Sequence, residues 1–194
     1  MLKKIVLGPI MMYLVLTALT GIIYPLAVTL FAGRAFPFQA RGSIVYSGNV
    51  PIGSSLIAQA GDSVHFMPRP SAGGYSTVPS GASNLGPTSR ALQKAIGERA
   101  VYWGKSVNEI PADLLFSSGS GLDPHISPEA ALFQLERIAR VRGFTAGQKS
   151  DLAKKIAART EKLQWGMFGR ERVNVLLLNC YLDGIPIEKS QNGT

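Results

Sequence analysis

The sequence has 194 residues, of which 46% are hydrophobic and 16% are charged, and its formal net charge is +8 at pH 7. A soluble domain usually has about 25% charged residues, so the low charged fraction indicates that part of the chain does not contact water. A single cysteine excludes a disulfide framework and any multi-cysteine metal or redox site, and the apolar content excludes a disordered chain.

The most apolar part of the sequence lies close to its N-terminus. Residues 5–33 contain no Asp, Glu, Lys, Arg or His, and as a helix they would be about 43 Å long at about 1.5 Å per residue. That length crosses a hydrocarbon core of about 30 Å with room for tilt. The run ends without the small-residue cleavage pattern of a signal peptide. We therefore predict a membrane anchor helix at residues 1–34 and one extramembrane domain at residues 35–194.

The flanking charges and the size of the predicted domain bear on its orientation. Lys3 and Lys4 precede the apolar run, whereas Arg34 and Arg41 follow it, so the local difference in charge is small. A long domain crosses a membrane largely regardless of its charge. A start with two lysines favours a cytoplasmic N-terminus and a domain on the outside.

Small residues recur at every fourth position within the predicted anchor. Thr17, Gly21 and Pro25 would share one stripe of the helix, and small side chains let a neighbouring helix approach closely. This stripe is a candidate packing face in the membrane. Small residues are also common in membrane helices, so the stripe is equally compatible with a plain anchor.

The predicted domain begins with short β-like runs and continues with a helix. The runs at 43–46, 55–58 and 64–67 lie in a region rich in Gly, Ser and Pro, as short strands separated by turns do. A helix is predicted over residues 89–103, because its apolar residues recur at helical spacing. Residues 109–123 are predicted to form a loop.

Two further helices have clear start and stop signals. Ser127 is a predicted N-cap followed by proline, and Gly143 ends that helix. A capping box at 145–148 opens another helix, which we predict to continue to about Gln164. The apolar run at 172–183 is typical of a buried strand. Strands at both ends of a helical middle predict one compact α/β (α+β) domain behind the anchor.

Charge is unevenly distributed along the predicted domain. The basic residues are scattered, without the concentrated stripe typical of nucleic-acid binding, so no nucleic-acid partner is predicted. Residues 106–136, in contrast, contain five acidic residues and no Lys or Arg. One interpretation is that the acidic residues cluster by chance. The other is that they create a local negative field that attracts cations.

Two short motifs invite a catalytic interpretation. The tripeptide GKS at 104–106 ends like a phosphate-binding P-loop, but Arg99 stands where that loop needs glycine and the tripeptide ends a predicted helix. The segment SGSGLDPHISPE at 118–129 is compatible with a structural loop, with a cation or phosphate site, or with a hydrolase that uses a serine, Asp123 and His125. No G-x-S-x-G motif occurs, and a spacing of two residues does not suit the orienting contact of a catalytic triad.

Four isolated polar residues have simpler interpretations. His65 falls in a predicted strand and is expected to pack there. Cys180 lies in an apolar run, so we predict a buried and inert thiol. Asn174 and Asn179 lie in the same run and must either find buried partners or mark a surface.

Five segments, in their order and spacing, carry a family resemblance over nearly the whole chain. They are GIIYPL at 21–26, FMPRPSA at 66–72, SGASNLGPT at 80–88, SGSGLDPHISP at 118–128 and RVNVL at 172–176. Together they resemble the C chain of the potassium-transporting (Kdp) P-type ATPase. Ala82 and Ser89 stand where that family often has glycine and asparagine, which affects only local loop detail.

The resemblance implies a non-catalytic, single-pass subunit of a bacterial or archaeal cell (inner) membrane. Its partners would be a K⁺-translocating chain, an ATP-hydrolysing P-type chain and a small helical chain of the same transporter. The C chain would bind no cofactor alone, because ATP and K⁺ are handled by the complex. The family is described as a catalytic chaperone that raises the ATP affinity of the hydrolysing chain. Because the sequence lacks both a P-loop and the Asp-Lys-Thr-Gly phosphorylation motif, we expect no ATPase activity from this chain alone.

Two hypotheses about the mechanism stay open at this point. In one, an outward-facing domain supports assembly or covers the ion entrance without touching nucleotide. In the other, the domain lies inside and contacts nucleotide through residues 118–127 and the helix that follows. An independent anchored hydrolase is a distant third. The candidate contacts to a partner, nucleotide or ion path are Arg69, Ser71, Asn84, Ser118, Ser120, Asp123, His125, Gln134, Arg172 and Asn174. No catalytic residue and no metal ligand is predicted.

Overall fold

The computed structural model describes residues 2–186 and 188–189. The chain divides into two compact units, one comprising Met1–Ser43 with Lys189–Thr194 and the other Ile44–Glu188. The predicted boundary after residue 34 concerns the point where the chain would leave a membrane, and it stays a prediction.

One apolar helix dominates the first unit. Its elements are α1 (Leu2–Ala18), a π-helical turn (Leu19–Ile23), α2 (Tyr24–Ala35) and the short α3 (Pro37–Ala40). Val6–Ala35 is long and apolar enough to cross a membrane, which confirms the predicted apolar helix. The π turn has a local cause: Pro25 has no N–H to offer the carbonyl of Gly21, and the N–H of Tyr24 donates to Leu19, five residues back.

The second unit begins with a β-hairpin. Its strands are β1 (Ile44–Ser47) and β2 (Val50–Ser54), and with β5 (Glu188–Lys189) they form a sheet in the order β2-β1-β5. Ser47 pairs with Val50, so Gly48 lies in a two-residue turn and adopts the positive φ of 57° that such turns require. The strand predicted at 43–46 is confirmed. The sequence prediction missed β2 because it contains proline and glycine, which an outer strand of a sheet tolerates.

Five helices and a second, two-stranded sheet complete this unit. The helices are α4 (Arg90–Trp103), α5 (Ala112–Leu115), α6 (Pro128–Val141), α7 (Ala146–Ala158) and α8 (Val175–Leu182), and β3 (His125–Ile126) pairs antiparallel with β4 (Val173–Asn174). Phe66, Ile138 and Leu178 are fully buried at the centre of a core to which all five helices contribute. The predicted fold class, an apolar helix followed by a compact α+β domain, is confirmed.

Local capping signals set the helix boundaries as the sequence predicts. The Ser127 hydroxyl accepts the N–H of Ala130 at 3.1 Å and caps α6. The Thr145 and Gln148 side chains form the predicted capping box at the start of α7. Gly104 adopts a left-handed φ of 61° and ends α4, so the GKS tripeptide terminates a helix, as predicted.

Two predicted strands are wrong, because residues 55–58 and 64–67 are both irregular. In the second segment, side chains instead of a neighbouring strand hydrogen-bond to the backbone N–H and carbonyl groups. Asn179 accepts the N–H of Phe66 at 2.8 Å and donates to its carbonyl at 2.9 Å. Gln134 likewise accepts the N–H of Met67 at 2.8 Å and donates to its carbonyl at 3.0 Å. We refer to these two pairs as the carboxamide clamps.

The strand predicted at 172–183 is also wrong beyond its first residues. Only Val173–Asn174 is a strand, and the apolar residues that follow form α8. The physical reason is a cap: the Asn174 side-chain oxygen accepts the N–H of Leu177 at 3.1 Å, which turns the chain into a helix. Cys180 is buried on this helix, as predicted. Burial, with the nearby Asp183 charge, raises the pKa of its thiol.

Two smaller boundaries differ from the prediction. Residues 109–123 are not entirely loop, because the short α5 lies within them. The helix predicted to reach Gln164 ends at Ala158, where the Thr160 hydroxyl donates back to the carbonyl of Ile156 at 2.9 Å. The residues after α7 turn into a small hairpin, with isolated bridges between Glu161 and Arg172 and between Gln164 and Phe168.

Candidate functional site

Several predicted contact residues line one open cleft of about 410 Å³ beside the β3–β4 pair and the start of α6. Its lining includes Arg69, Asp113, Asp123, His125, Arg170 and Arg172. The structure therefore brings together Arg69, Asp123, His125 and Arg172 from segments far apart in the sequence. Arg170 is a lining residue that the sequence prediction missed, because its exposure at the end of a hairpin has no sequence signal.

A chain of polar contacts runs across this cleft. Asp123 Oδ2 lies 3.4 Å from Arg69 Nη1, and Asp123 Oδ1 lies 3.4 Å from His125 Nδ1 and accepts the His125 backbone N–H at 3.0 Å. The pairing of β3 with β4 sets His125 opposite Asn174. Asn174 Nδ2 lies 3.5 Å from His125 Nε2 and donates to the carbonyl of Ser55 at 2.7 Å. The short sheet thus fixes the position of the imidazole.

The charge of Asp123 reflects this network. Burial alone raises the pKa of its carboxyl, but hydrogen bonds from the His125 side chain and backbone and the charges of His125 and Arg69 outweigh that effect. The net result is a pKa below the ordinary value of 3.8. Asp123 is therefore a carboxylate at neutral pH, and Arg69 partly compensates its charge.

The Asp123–His125 contact corrects one sequence argument. A spacing of two residues is not expected to suit an orienting contact, yet Asp123 Oδ1 lies 3.4 Å from His125 Nδ1 in the structure. The far nitrogen of the imidazole, Nε2, faces the amide of Asn174. A catalytic triad needs a serine hydroxyl at that nitrogen. The arrangement therefore suits a fixed, polar binding surface better than a hydrolase.

The charge balance of the cleft bears on what it can bind. Arg69, Arg170 and Arg172 are offset by four carboxylates, those of Asp113, Asp123, Glu129 and Glu171. Such a balance does not favour a nucleoside triphosphate, which needs an excess of positive charge. Among the described residues, no group of three or more His, Cys, Asp and Glu side chains is placed to hold a metal ion. A surface of mixed charge suits the polar face of another protein chain.

The other predicted contact residues have local structural partners. The Ser71 hydroxyl accepts the N–H groups of Gly73 and Tyr75 at 3.2 and 2.9 Å. Ser120 is exposed and accepts the N–H of Leu122 at 3.1 Å. Ser118 is buried, and its hydroxyl finds no hydrogen-bond partner among the described residues. Asn84 is exposed, in a loop with a positive φ of 52°.

Gln134 lies away from the surface. Its side chain is fully buried. The side-chain oxygen accepts the N–H of Met67 and the side-chain nitrogen donates to the carbonyl of Met67, which forms one of the carboxamide clamps. Arg137 also donates to its oxygen at 3.0 Å. Asn174 is buried too and combines the cap of α8 with its contact to His125. The interior positions of these two residues point to structural roles.

Most acidic side chains of the segment at 106–136 form hydrogen bonds or ion pairs. Glu109 accepts from the hydroxyl of Ser106 at 2.9 Å, and Asp113 accepts the N–H of Ser127 at 2.7 Å. Glu136 pairs with Lys149, and Asp123 pairs with Arg69 across the cleft. The charge count along the sequence therefore overstates the free negative field of the folded domain.

A second polar cluster, which the sequence does not predict, surrounds His65. His65 is not in a strand, and its ring nitrogens lie 2.7 Å from Asp62 and 2.9 Å from Asp183. Arg142 also contacts Asp183, at 2.6 Å. Burial alone raises the pKa of Asp183, but hydrogen bonds from Arg142 and His65 hold it below the ordinary value of 3.8. These residues come from three distant segments, so no local sequence pattern predicts the cluster.

Replacing Asp183 with asparagine should lower the free energy of unfolding by about 1–2 kcal/mol at pH 7, since two charge-assisted hydrogen bonds are lost. A carboxyl whose pKa is lowered on folding stabilises the fold above its unfolded pKa, 3.8, and this stabilisation is lost as the pH falls through the folded pKa. The difference between the two chains should therefore shrink below about pH 4. Denaturant unfolding of the full chain in detergent at several pH values checks this.

The matched control for that experiment is Asp151→Asn. Asp151 is exposed on α7 and lies 3.6 Å from exposed Lys154, a surface pair that contributes little. We expect a change below about 0.5 kcal/mol. A difference between Asp183→Asn and wild type that stays constant from pH 7 to pH 3 would contradict the assigned role of Asp183.

The fold and the cleft together define a class of protein. A helix long enough to span a bilayer is joined in one chain to an α+β domain that carries a polar cleft of mixed charge. Among the described residues, one apolar helix is therefore compatible with a membrane, and the domain offers a surface suited to contact another protein. The family model described as KdpC, the K⁺-transporting ATPase c chain, matches residues 6–184. The chain therefore belongs to the KdpC family.

Curated relatives from several bacteria agree with this assignment. A protein from Polynucleobacter asymbioticus is 45% identical over 191 residues, covering 94% of this chain and 100% of the relative. One from Geobacter sulfurreducens is 48% identical over 181 residues, covering 90% and 94%. One from Pectobacterium atrosepticum is 45% identical over 179 residues, covering 89% and 92%. Each is named the KdpC subunit of a potassium-transporting ATPase, which confirms the family resemblance seen in the sequence.

Proposed function

We propose that this chain is the non-catalytic C subunit of an ATP-driven K⁺ transporter and supports both assembly of the complex and the coupling of ATP use to K⁺ import. The observation that carries the proposal is the family match over residues 6–184, which includes the apolar helix and almost all of the domain. Its partners are a K⁺-translocating chain, an ATP-hydrolysing P-type chain and a small helical chain. ATP and K⁺ are bound by the complex rather than by this chain alone.

The cleft around Asp123 is the proposed contact surface for one of those partners. Arg69, Asp123 and His125 are each about one-quarter to one-third exposed, so they are held in place and yet reachable. Their mixed charge supports an interface with a polar protein face, where complementary charge gives specificity. Arg172 borders the same cleft and is oriented by Glu161 at 2.9 Å.

The side of the membrane on which the domain lies separates two forms of this function. An outward-facing domain would act through assembly or at the ion entrance, whereas a cytoplasmic domain would be able to act as the catalytic chaperone described for the family. A cysteine added at the C-terminus and probed with a membrane-impermeant reagent from each side distinguishes them. The buried Cys180 should not react in either case. We expect labelling from the outside only, and labelling from the cytoplasm would overturn the outward orientation.

Replacing Asp123 with asparagine tests, in the assembled transporter, whether the proposed surface lies near the ion entrance. Asparagine keeps the acceptor for the His125 N–H and removes one negative charge, so Arg69 loses its partner. A unit charge about 8 Å from an ion in water contributes about 0.5 kcal/mol. We therefore expect the apparent KM for K⁺ to rise about twofold at low ionic strength. The difference should disappear at high salt, where screening acts within a few ångströms.

Titration of transport-coupled ATPase activity against both K⁺ and ATP separates the alternatives. A change in ATP dependence alone supports the chaperone form of the function and contradicts a role at the ion entrance. Loss of folded complex with normal K⁺ dependence in what survives indicates a structural loop. A variant that equals wild type in both titrations removes the electrostatic role of Asp123.

Replacing Gly21 with leucine tests the packing face in the apolar helix. The position of a Gly21 Cβ is open within this chain, with nothing within 4 Å, so leucine should not disturb the helix itself. If Thr17, Gly21 and Pro25 face partner helices, the larger side chain should reduce recovery of the complex on affinity purification severalfold. Gly8→Leu, equally open and roughly on the opposite face of an ideal helix, is the control. Equal recovery of both variants would leave the helix as a plain anchor.

A further inference from the structure

The hairpin after α7 presents large apolar side chains to the surroundings. Trp165 is 88% exposed, Met167 is 74% exposed and Phe168 is 56% exposed. Large apolar side chains grouped at one exposed point mark an interaction site more often than chance. We call residues 162–170 the apolar hairpin.

The exposure belongs to an ordered turn. Gln164 and Phe168 exchange two backbone hydrogen bonds, at 2.8 and 3.0 Å, and the N–H of Met167 donates to Gln164 at 3.1 Å. Trp165 has a positive φ of 52°, which is uncommon for a residue with a side chain. Its ring packs edge-on against Phe168 with the centroids 6.1 Å apart. The backbone thus holds Trp165 and Met167 outward together.

The charges of the apolar hairpin bear on what it contacts. Lys162 and Arg170 stand at its two ends, both are exposed, and no acidic residue lies between them. Glu161 and Glu171 adjoin the hairpin on either side, and Glu161 is paired with Arg172 at 2.9 Å. Aromatic side chains flanked by cations are typical of a bilayer interface, where the rings enter the headgroup layer and the cations meet anionic phospholipids. The same chain carries a helix able to span a bilayer, and a tether of this kind raises the effective concentration of the membrane surface.

We infer that the apolar hairpin is a second membrane contact of this chain, which inserts Trp165, Met167 and Phe168 into the interface of the bilayer that holds the helix, with Lys162 and Arg170 on anionic headgroups. This contact would fix the domain at two points instead of one. It does not depend on which leaflet faces the domain, provided that leaflet contains anionic lipid.

The depth of Trp165 in a bilayer tests this inference directly. The chain has two tryptophans, so Trp103→Phe leaves Trp165 as the reporter, and Trp165→Phe leaves Trp103, which is partly buried against Phe133 with centroids 5.6 Å apart. Both full-length chains are placed in nanodiscs of phosphatidylethanolamine and phosphatidylglycerol, some brominated on the acyl chains. We expect bromine to quench Trp165 at least threefold more strongly than Trp103.

A charge-reversal pair tests the role of the cations. In the Trp165 reporter, Lys162→Glu with Arg170→Glu should reduce quenching by bromine at least twofold, and so should replacing phosphatidylglycerol with phosphatidylcholine. Lys94→Glu with Lys105→Glu makes the same change of charge at exposed positions elsewhere and should leave quenching unchanged. Equal effects of the two charge reversals would overturn the lipid-headgroup contact.

Two further results would overturn the inference as a whole. If acrylamide quenches the fluorescence of Trp165 and brominated acyl chains do not, the hairpin stays in water. Trp165 protected from both quenchers would mean that a protein surface covers it. Should Trp103→Phe disturb folding, a nitroxide on Met167→Cys in a chain that retains both tryptophans gives the same answer. We expect faster relaxation by oxygen than by a water-soluble nickel complex, and the reverse order contradicts insertion.

Discussion

Replacing Gln134 with methionine should destabilise the domain by about 3–5 kcal/mol, a large share of the roughly 5–15 kcal/mol that holds a domain folded. Methionine preserves the length of the side chain and removes its polar atoms. The N–H and carbonyl of Met67 then lose their partners in a partly buried segment, and each unpaired backbone group costs about 1–3 kcal/mol. Arg137 loses an acceptor as well. Denaturant unfolding of the full chain in detergent measures the effect.

The control for this prediction is Gln93→Met. Gln93 is an exposed glutamine on α4, and a surface change of this kind usually alters stability by less than about 0.5 kcal/mol. The pair also tests a functional alternative. If Gln134 contacted nucleotide, the variant would fold normally and change only the ATP dependence of the transporter. A Gln134→Met chain within 1 kcal/mol of wild type would sink the structural role assigned here.

Replacing Gly121 with alanine should cost about 2–4 kcal/mol and disturb the loop that carries Asp123. Gly121 has a φ of 73°, a left-handed conformation that costs a residue with a side chain about 1–2 kcal/mol. A Cβ at this position would also lie 2.7 Å from the carbonyl oxygen of Gly81, which is backbone and cannot swing away. One of the two loops must then shift.

Gly119→Ala is the matched control two residues away. Its Cβ position is open, with nothing within 4 Å and no positive φ, so alanine should be neutral or slightly stabilising. Thermal unfolding of both variants, together with the K⁺ titration of the assembled transporter, measures the two consequences. Equal melting temperatures for the two variants would show that loop 118–123 adapts to a side chain at residue 121.

The sequence predicted best what short-range chemistry determines. Ser127 and Thr145 begin their helices through hydrogen bonds to residues three positions later, and Gly104 ends α4 through its own φ. These signals lie within one turn of the helix they affect. The apolar helix was equally accessible, because its length and lack of charge are properties of a single uninterrupted segment.

The errors arose where distant residues decide the local conformation. Residues 64–67 look like a strand in sequence, yet Asn179 and Gln134 supply the hydrogen bonds that a neighbouring strand would have supplied. The run after Asn174 is apolar enough for a strand, but the asparagine caps a helix. For Asn174 and Asn179 the sequence left two alternatives, buried partners or a surface, and the structure gives both side chains hydrogen-bond partners that the sequence did not identify.

The candidate cleft was predictable only for those residues that lie in a recognisable motif. Asp123 and His125 stood out because they share one motif, and the structure places them in contact. Their partners Arg69 and Asn174 belong to other motifs of the family, so the family resemblance connected them before the fold did. Arg170 carries no motif of its own. Gln134 was selected as a contact residue, whereas the fold buries it completely.

The carboxamide clamps have a consequence for how the domain opens. Backbone amides in an irregular segment normally exchange their hydrogens with solvent quickly, because such segments open without disturbing their surroundings. The amides of Phe66 and Met67 are instead held by side chains that project from α8 and α6. They are freed only when those helices move, so their exchange should be as slow as that of the core helices. Residues 66 and 67 thereby belong to the most cooperative part of the domain despite having no regular secondary structure.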